Sequence, residues 1–238
     1  MKLVSLICPT IRFDELYESI NSLVTTCAVK DRMEFLIRVD KDDNYGPFLD
    51  KIYKDFDSII TIKHIVGDKV EFTNVHFLYN ELFNISEGKY LFLWNDDAYM
   101  KTNGWDLIVD RFSKDNKFQV LNPLTNHHTE KGLVGAIFPL VPRKWYEIIG
   151  HLSLNAQQDE WVYEIAAALG IFRPIPITIF HNQPGMIGPI DMTLEENQIR
   201  DSTHKHTNAE YYLPVMYRAR QRDFFKIQQY LKNGGKLT

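Results

Sequence analysis

Two adjacent carboxylates, Asp96 and Asp97, follow the apolar run Leu91-Phe92-Leu93-Trp94 and a single Asn95. A buried strand that delivers two negative charges at its end is costly unless something neutralises them. A divalent cation does so with hard oxygen ligands: magnesium or manganese binds through one or two carboxylates together with the phosphates of a substrate. The competing account is that the pair only caps the next segment, and the pair alone leaves the two accounts level. Asp159, in Gln157-Gln158-Asp159-Glu160-Trp161, opens an apolar helical pattern. It suits an N-cap or a general base, with Glu160 as the neighbouring alternative for the second role. His181 follows the apolar run Ile175 to Phe180 as Asp97 follows its own, which puts an imidazole at the same kind of strand end as a metal ligand; a lone histidine is more often structural.

The remaining chemistry-bearing residues are less pointed. His127 and His128 lie in a polar run with Asn122, Asn126 and Thr129; they suit contact with a sugar or exposure to water, and water is the expectation. His204 and His206 show no spacing of a closed zinc site. Arg218, Arg222 and Lys226 recur every fourth residue beside Phe224, Phe225, Ile227 and Leu231. That pattern suits either a basic amphipathic helix touching phosphate or lipid headgroups, as a peripheral membrane contact, or a solvated helix face.

The elements that must position these groups alternate along the chain. Leu3 to Cys8 reads as a strand ended by Pro9, and Leu16, Ile20, Leu23 and Cys27 recur on one helical face after it. Glu34 to Val39 is a strand running into the polar loop Asp40 to Gly46. Phe48 to Phe56 reads as helix, Ser58 to Ile65 as strand, Asn74 to Phe83 as helix and Tyr90 to Trp94 as strand. Further on come a helix over Trp105 to Phe112, a strand near Phe118 to Leu121, a mixed segment Gly132 to Val141, a helix Asp159 to Leu169 and a strand Ile175 to Phe180. Such alternation predicts an α/β domain with a mostly parallel sheet and helices on both faces. Ligands of such sheets bind outside the carboxyl ends of the strands, where Pro9 to Arg12, Asp40 to Asp43 and Asn95 to Asp97 would converge. We expect one domain over residues 1–182, with 183–238 a lid and tail of the same domain ending in a helix near Val215 to Leu231.

Composition narrows the class. A chain of 238 residues with 45% hydrophobic residues has material for a substantial core. Its formal charge of -4 supplies no overall attraction for nucleic acid, which is not an expected partner. Cys8 and Cys27 have no paired spacing and read as buried thiols of a reducing compartment. The short apolar run ending at Pro9 is too brief for a signal sequence or a spanning segment, so the expected location is cytoplasmic.

Across roughly Leu3 to His181 the order of these clusters resembles the GT-A glycosyltransferases, the Rossmann-like nucleotide-diphospho-sugar transferases, and among them the inverting family 2. Val4-Ser5-Leu6-Ile7-Cys8-Pro9-Thr10 is similar to that family's first strand and the turn beside the nucleotide base. Asp40, with Asp42 beside it, matches the acidic residue that contacts the base; Asn80 and Gly88-Lys89-Tyr90 match the approach to the DXD signature, here Asn95-Asp96-Asp97. The resemblance implies a nucleotide-binding set of Pro9, Thr10, Arg12, Asp40, Asp42, Asn80, Asn95 and Asp96. Manganese or magnesium would lie on Asp97 and His181, and Asp159 would be the catalytic base. It leaves open whether Asn95 or Asp96 reaches the ribose or the metal. The implied donor is a nucleoside-diphosphate sugar, uridine diphosphate by default, and the implied acceptor a glycan, a lipid-linked glycan or a protein. A nucleotidyltransferase would instead present a glycine-rich phosphate loop where this chain has Pro9-Thr10-Ile11-Arg12. A catalytically silent nucleotide-sugar-binding scaffold is the other alternative, suggested by Asn95 at the first DXD position.

Overall fold

The computed structural model describes residues 2–131, 135–182 and 209–238, the side chains of 129–131 aside. The expected lid therefore lies outside the described residues up to 208, and His204 and His206 with it. One eight-stranded sheet runs in the order β3-β2-β1-β4-β7-β6-β8-β5. β1 (Val4–Pro9), β2 (Met33–Asp40), β3 (Thr61–Gly67) and β4 (Tyr90–Leu93) are mutually parallel. β7 (Leu140–Pro142) joins β4 antiparallel, β6 (Val120–Thr125) and β8 (Phe172–His181) pair in parallel, and β5 (Ala98–Met100) closes the edge antiparallel to β8.

The central strands are near-continuous apolar runs because both of their faces are covered. Leu6, Cys8, Phe35, Ile37, Phe92 and Trp94 turn to a layer containing α1 (Phe13–Thr26), α2 (Gly46–Phe56) and α4 (Trp105–Lys114). The alternate residues Ile7, Leu36, Leu91 and Leu93 turn to the opposite layer. That layer is built from α3 (His76–Ile85), α6 (Arg143–Ile149), α7 (Gln158–Ala168) and α8 (Pro214–Lys232). Between β6 and α6 lies the short helix α5 (Asn126–Lys131).

Four elements depart from the sequence expectation. β6 continues to Thr125, past the expected end at Leu121. Pro123 is tolerated because the register between β6 and β8 shifts between Asn122 and Leu124, opposite the stretch of β8 that carries Pro174 and Pro176. The polar run after it is helical in α5, and β5, three residues long, offers too little sequence for a periodic signal. β3 starts at Thr61, because a turn after α2 occupies residues 57–59.

Two polar clusters sit inside the apolar layers. At the amino-terminal end of the strands, Ser5 Oγ donates to the fully buried Glu34 Oε1 at 2.6 Å, Lys63 Nζ stands 3.0 Å from Glu34 Oε2, and Gly88 N donates to Ser5 Oγ at 2.7 Å. Between α7 and α8, the fully buried Asp223 accepts from Trp161 Nε1 at 3.2 Å and lies 3.4 Å from His151 Nε2. Among the described residues no helix is long and apolar enough to cross a membrane.

Candidate active site

The carboxyl ends of β1, β2, β4 and β8 bring the chemistry-bearing residues to one edge. β1 ends in Pro9, and the turn Thr10-Ile11-Arg12 feeds α1. This turn wraps Asp96: Thr10 Oγ1, Ile11 N and Arg12 N donate to Asp96 Oδ2 at 2.8, 3.3 and 3.2 Å, and Arg12 Nη2 donates to Oδ1 at 2.6 Å. Asp96 is thus engaged on both oxygens as a staple between the β1 turn and the end of β4. The same Arg12 nitrogen stands 3.0 Å from Asp97 Oδ2. The charge of the carboxylate pair, which the sequence suggested a cation would cancel, is already met in part by a guanidinium.

Asp97 differs from its neighbour. It is 1% exposed, and its Oδ1 has no aligned hydrogen bond among the described residues, although His181 Nε2 stands 3.2 Å away. Burial pushes the Asp97 carboxyl upward, but the imidazole and guanidinium beside it outweigh burial and hold it below its ordinary value. His181 is the last residue of β8 and pairs across the ladder with Ala98, the residue after Asp97. Asn126 clamps that strand end, accepting from His181 N at 2.9 Å and donating to His181 O at 3.3 Å. The imidazole packs between His127 and Phe138, with ring centroids 5.0 Å from each.

His127 corrects the expectation that it faces water: it is 2% exposed and lines the site, because β6 runs on to Thr125 and so aims the next residues at the ligand edge. His128 instead holds the loop, with Nδ1 3.1 Å from Thr125 N and Nε2 3.0 Å from Gly135 O. Glu15, in the first turn of α1, is a further residue the sequence did not mark. Its Oε2 is buried without a hydrogen bond among the described residues, and burial, ahead of Asp97 and Asp96, raises its carboxyl despite Arg12.

Asn95 is half-buried, and its Oδ1 accepts from Tyr79 Oη at 3.1 Å, which leaves its amide hydrogens for a ligand. Burial, reinforced by Cys8 and Asp159, holds the Tyr79 hydroxyl protonated well above its ordinary value. Asn80, one residue on, faces a different neighbour: its Oδ1 accepts from Leu152 N at 3.0 Å and ties down the loop before α7. Asp159 lies in the first turn of α7, half-buried, with its Oδ1 accepting from Glu160 N at 2.9 Å, while Gln157 occupies the N-cap position. Burial pushes the Asp159 carboxyl up to about 6, against a downward pull from its neighbouring amides and from His181. Burial and the Asp159 charge take Glu160 to about 7.

At the end of β2, Asp40 is 6% exposed, and its Oδ1 accepts from Arg38 Nη1 at 2.9 Å. Arg38 is itself held by Glu81 through Nε at 2.9 Å and by Asp68 O through Nη2 at 2.6 Å. Asp42 is exposed, whereas Asp43 is half-buried with Oδ2 lacking a hydrogen bond among the described residues.

A divalent cation fits this edge in part. Asp97 Oδ1 is a buried anionic oxygen without a donor, and His181 Nε2 faces it. Two protein ligands of this kind suit an ion that takes its other ligands from water and phosphate. Among the described residues no group of three or more such side chains is arranged to hold one alone.

No family model matches the chain, and no curated protein matches it. Solved structures do, at low identity. The S. aureus TarS fragment 1-349 in complex with UDP-GlcNAc is similar over 99% of this chain and 93% of that one, at 11% identity and a TM-score of 0.58. The mannosyltransferase PcManGT from Pyrobaculum calidifontis, in complex with GDP-Man and Mn2+, is similar over 97% of this chain and 74% of that one, at 10% identity and a TM-score of 0.65. Against a longer TarS structure the chain spans 37% of the partner's length. The α/β fold is therefore one found in glycosyltransferases.

Proposed function

We propose that the chain is a GT-A glycosyltransferase of the family 2 kind, moving a sugar from a nucleoside diphosphate to an acceptor hydroxyl with inversion. The observation that carries this reading is that Asp97 and His181 stand 3.2 Å apart at the ligand edge with Asp159 within electrostatic reach of His181, while Asp40 ends β2, two strands from β4, at the same edge. In this reading Asp40 accepts a hydrogen bond from the base. Because Arg38 already engages Oδ1, one carboxylate oxygen remains, which suits the single N–H of uracil better than the two-donor edge of guanine. Asn95 offers its amide hydrogens to the ribose or sugar, and Arg12 meets diphosphate charge at the amino end of α1.

Asp97 and His181 would hold manganese or magnesium, which supplies electrostatic stabilisation of the departing diphosphate. Asp159 takes the proton of the acceptor hydroxyl as its oxygen bonds to the anomeric carbon and the bond from that carbon to the diphosphate oxygen breaks. Attack from the face opposite the leaving group gives inversion. The Arg12 contacts to Asp96 and Asp97 favour a second reading, a nucleotide-sugar-binding protein without turnover, since they meet the carboxylate charge without a metal.

Thermal unfolding against UDP, GDP, ADP and CDP, each with and without manganese, tests the site. At about 100 times Kd a bound nucleotide raises the midpoint by roughly 5–10 °C. UDP is expected to give the largest rise, with a manganese-dependent part absent in Asp97→Ala. No rise with any nucleotide overturns both readings. A rise without metal-dependent donor hydrolysis selects the second.

A further inference from the structure

We propose that the exposed face of α8 docks on an anionic phospholipid surface. The helix packs inward through Ala219, Asp223 and Ile227. Outward it presents two neighbouring rows at four-residue spacing, Tyr217-Gln221-Phe225 and Arg218-Arg222-Lys226, all exposed. Tyr217 and Phe225 are 55% and 61% exposed; Tyr212 and Leu213, just before the helix, are 69% and 47% exposed, and Val215, beside the cationic row, is 57% exposed. Isolated exposed apolar side chains are ordinary on a soluble surface, but a row of them beside a row of cations is not.

The charge on this helix is segregated. Asp223 is its one carboxylate and is fully buried, so the outer face carries Arg218, Arg222, Lys226 and Lys232 with no acidic residue of its own. Arg220, the remaining cation, turns inward to Glu164 at 2.9 Å and lies over the Tyr211 ring at 3.8 Å. The chain as a whole is acidic, at -4, so the cations of this face stand against the overall charge. The apolar and cationic rows run side by side along one helix face, the arrangement of helices that lie in a membrane interface. Cations level with lipid phosphates and aromatic rings at the headgroup boundary are the complement that a bilayer supplies. The proposal stands apart from the donor-site assignment, and its test reads lipid binding alone.

The test is co-sedimentation of the protein with vesicles of phosphatidylcholine, with or without phosphatidylglycerol, across a salt series. Two variants accompany it, Arg218→Glu/Arg222→Glu/Lys226→Glu and Tyr217→Ser/Phe225→Ser. All five positions are exposed, and unchanged thermal midpoints confirm that the variants fold. Binding to the anionic vesicles only, weakening as salt rises, is expected. Each cation contributes about fivefold at such a surface, so charge reversal should lower the partition coefficient at least about tenfold, and the aromatic pair should lower it while leaving the salt dependence intact. No binding to anionic vesicles at low salt, equal binding to neutral ones, wild-type binding by the charge-reversed variant, or capture of duplex nucleic acid in place of vesicles overturns the proposal.

Discussion

Asp159 is where the proposed chemistry and the local electrostatics can be read together. A carboxyl raised to about 6 by burial is still mostly ionised at neutral pH and is a stronger base than an exposed aspartate. Below that value it holds a proton and cannot accept another, so kcat should fall about tenfold per pH unit below pH 6. Asp159→Asn should lower kcat by about 100- to 10,000-fold with the donor KM nearly unchanged. A limb near pH 7 that disappears in Glu160→Gln would transfer the role to Glu160. Asp97, His181 and Asp159 were legible in the sequence because each follows or opens an apolar run, which gives its place without a structure. Arg12 as the counter-charge of Asp96, Arg38 as the anchor of Asp40, and the burial of Glu15 and His127 were not. Those depend on contacts between residues as far apart as Arg12 and Asp96, which no local pattern encodes.

At the scale of elements, Gly88 packs tightly against β1 at the end of the sheet away from the ligand edge. A Cβ on Gly88 would fall 2.5 Å from Ser5 N and 2.8 Å from Val4 C, which are backbone atoms that cannot swing aside. Gly88→Ala must therefore push β4 from β1 and loosen Ser5 from Glu34. The expected cost is about 2–4 kcal/mol in urea unfolding, and a loss under about 0.5 kcal/mol, the size of an ordinary surface change, would show that the strands can shift there. The first four strands and their helices were readable because each is a long apolar run or a strong helical stripe. β5 and α5 were not, the one for its length and the other for its polarity, although α5 carries the Asn126 clamp. Knowing that β6 passes through Pro123 would have pointed to Asn126 and His127, since both then follow a strand end. The obstacle was the proline, harmless here because the ladder is irregular opposite it.

For the whole molecule, stability should depend on pH through a buried carboxyl between α7 and α8. Burial raises the Asp223 carboxyl from 3.8 to about 6, against the pull of Trp161, Arg222 and Lys226. Burial, with those same two cations, takes the facing His151 down to about 4, so the imidazole is mostly neutral above about pH 5. Between pH 3.8 and 6 the folded chain binds the Asp223 proton more tightly than the unfolded chain does, so this group's contribution is full below about pH 4 and is lost as pH rises through 6. Asp223→Asn removes that loss: its stability relative to the parent should be flat below pH 4 and rise by up to roughly 3 kcal/mol above pH 6. A parallel pair of stability curves would mean that the carboxyl ionises freely in the fold. The pairing of Ala98 with His181 reaches furthest in its implications. Asp97 and His181 become neighbours only when β8, the last of the eight strands along the chain, lays β5 along its edge. That pairing closes a loop about as long as the one closed by β1 and β4, so chain order rather than loop length sets which can form first during synthesis. A chain that stops before β8, even with β1 to β4 in place, would lack the histidine half of the pair.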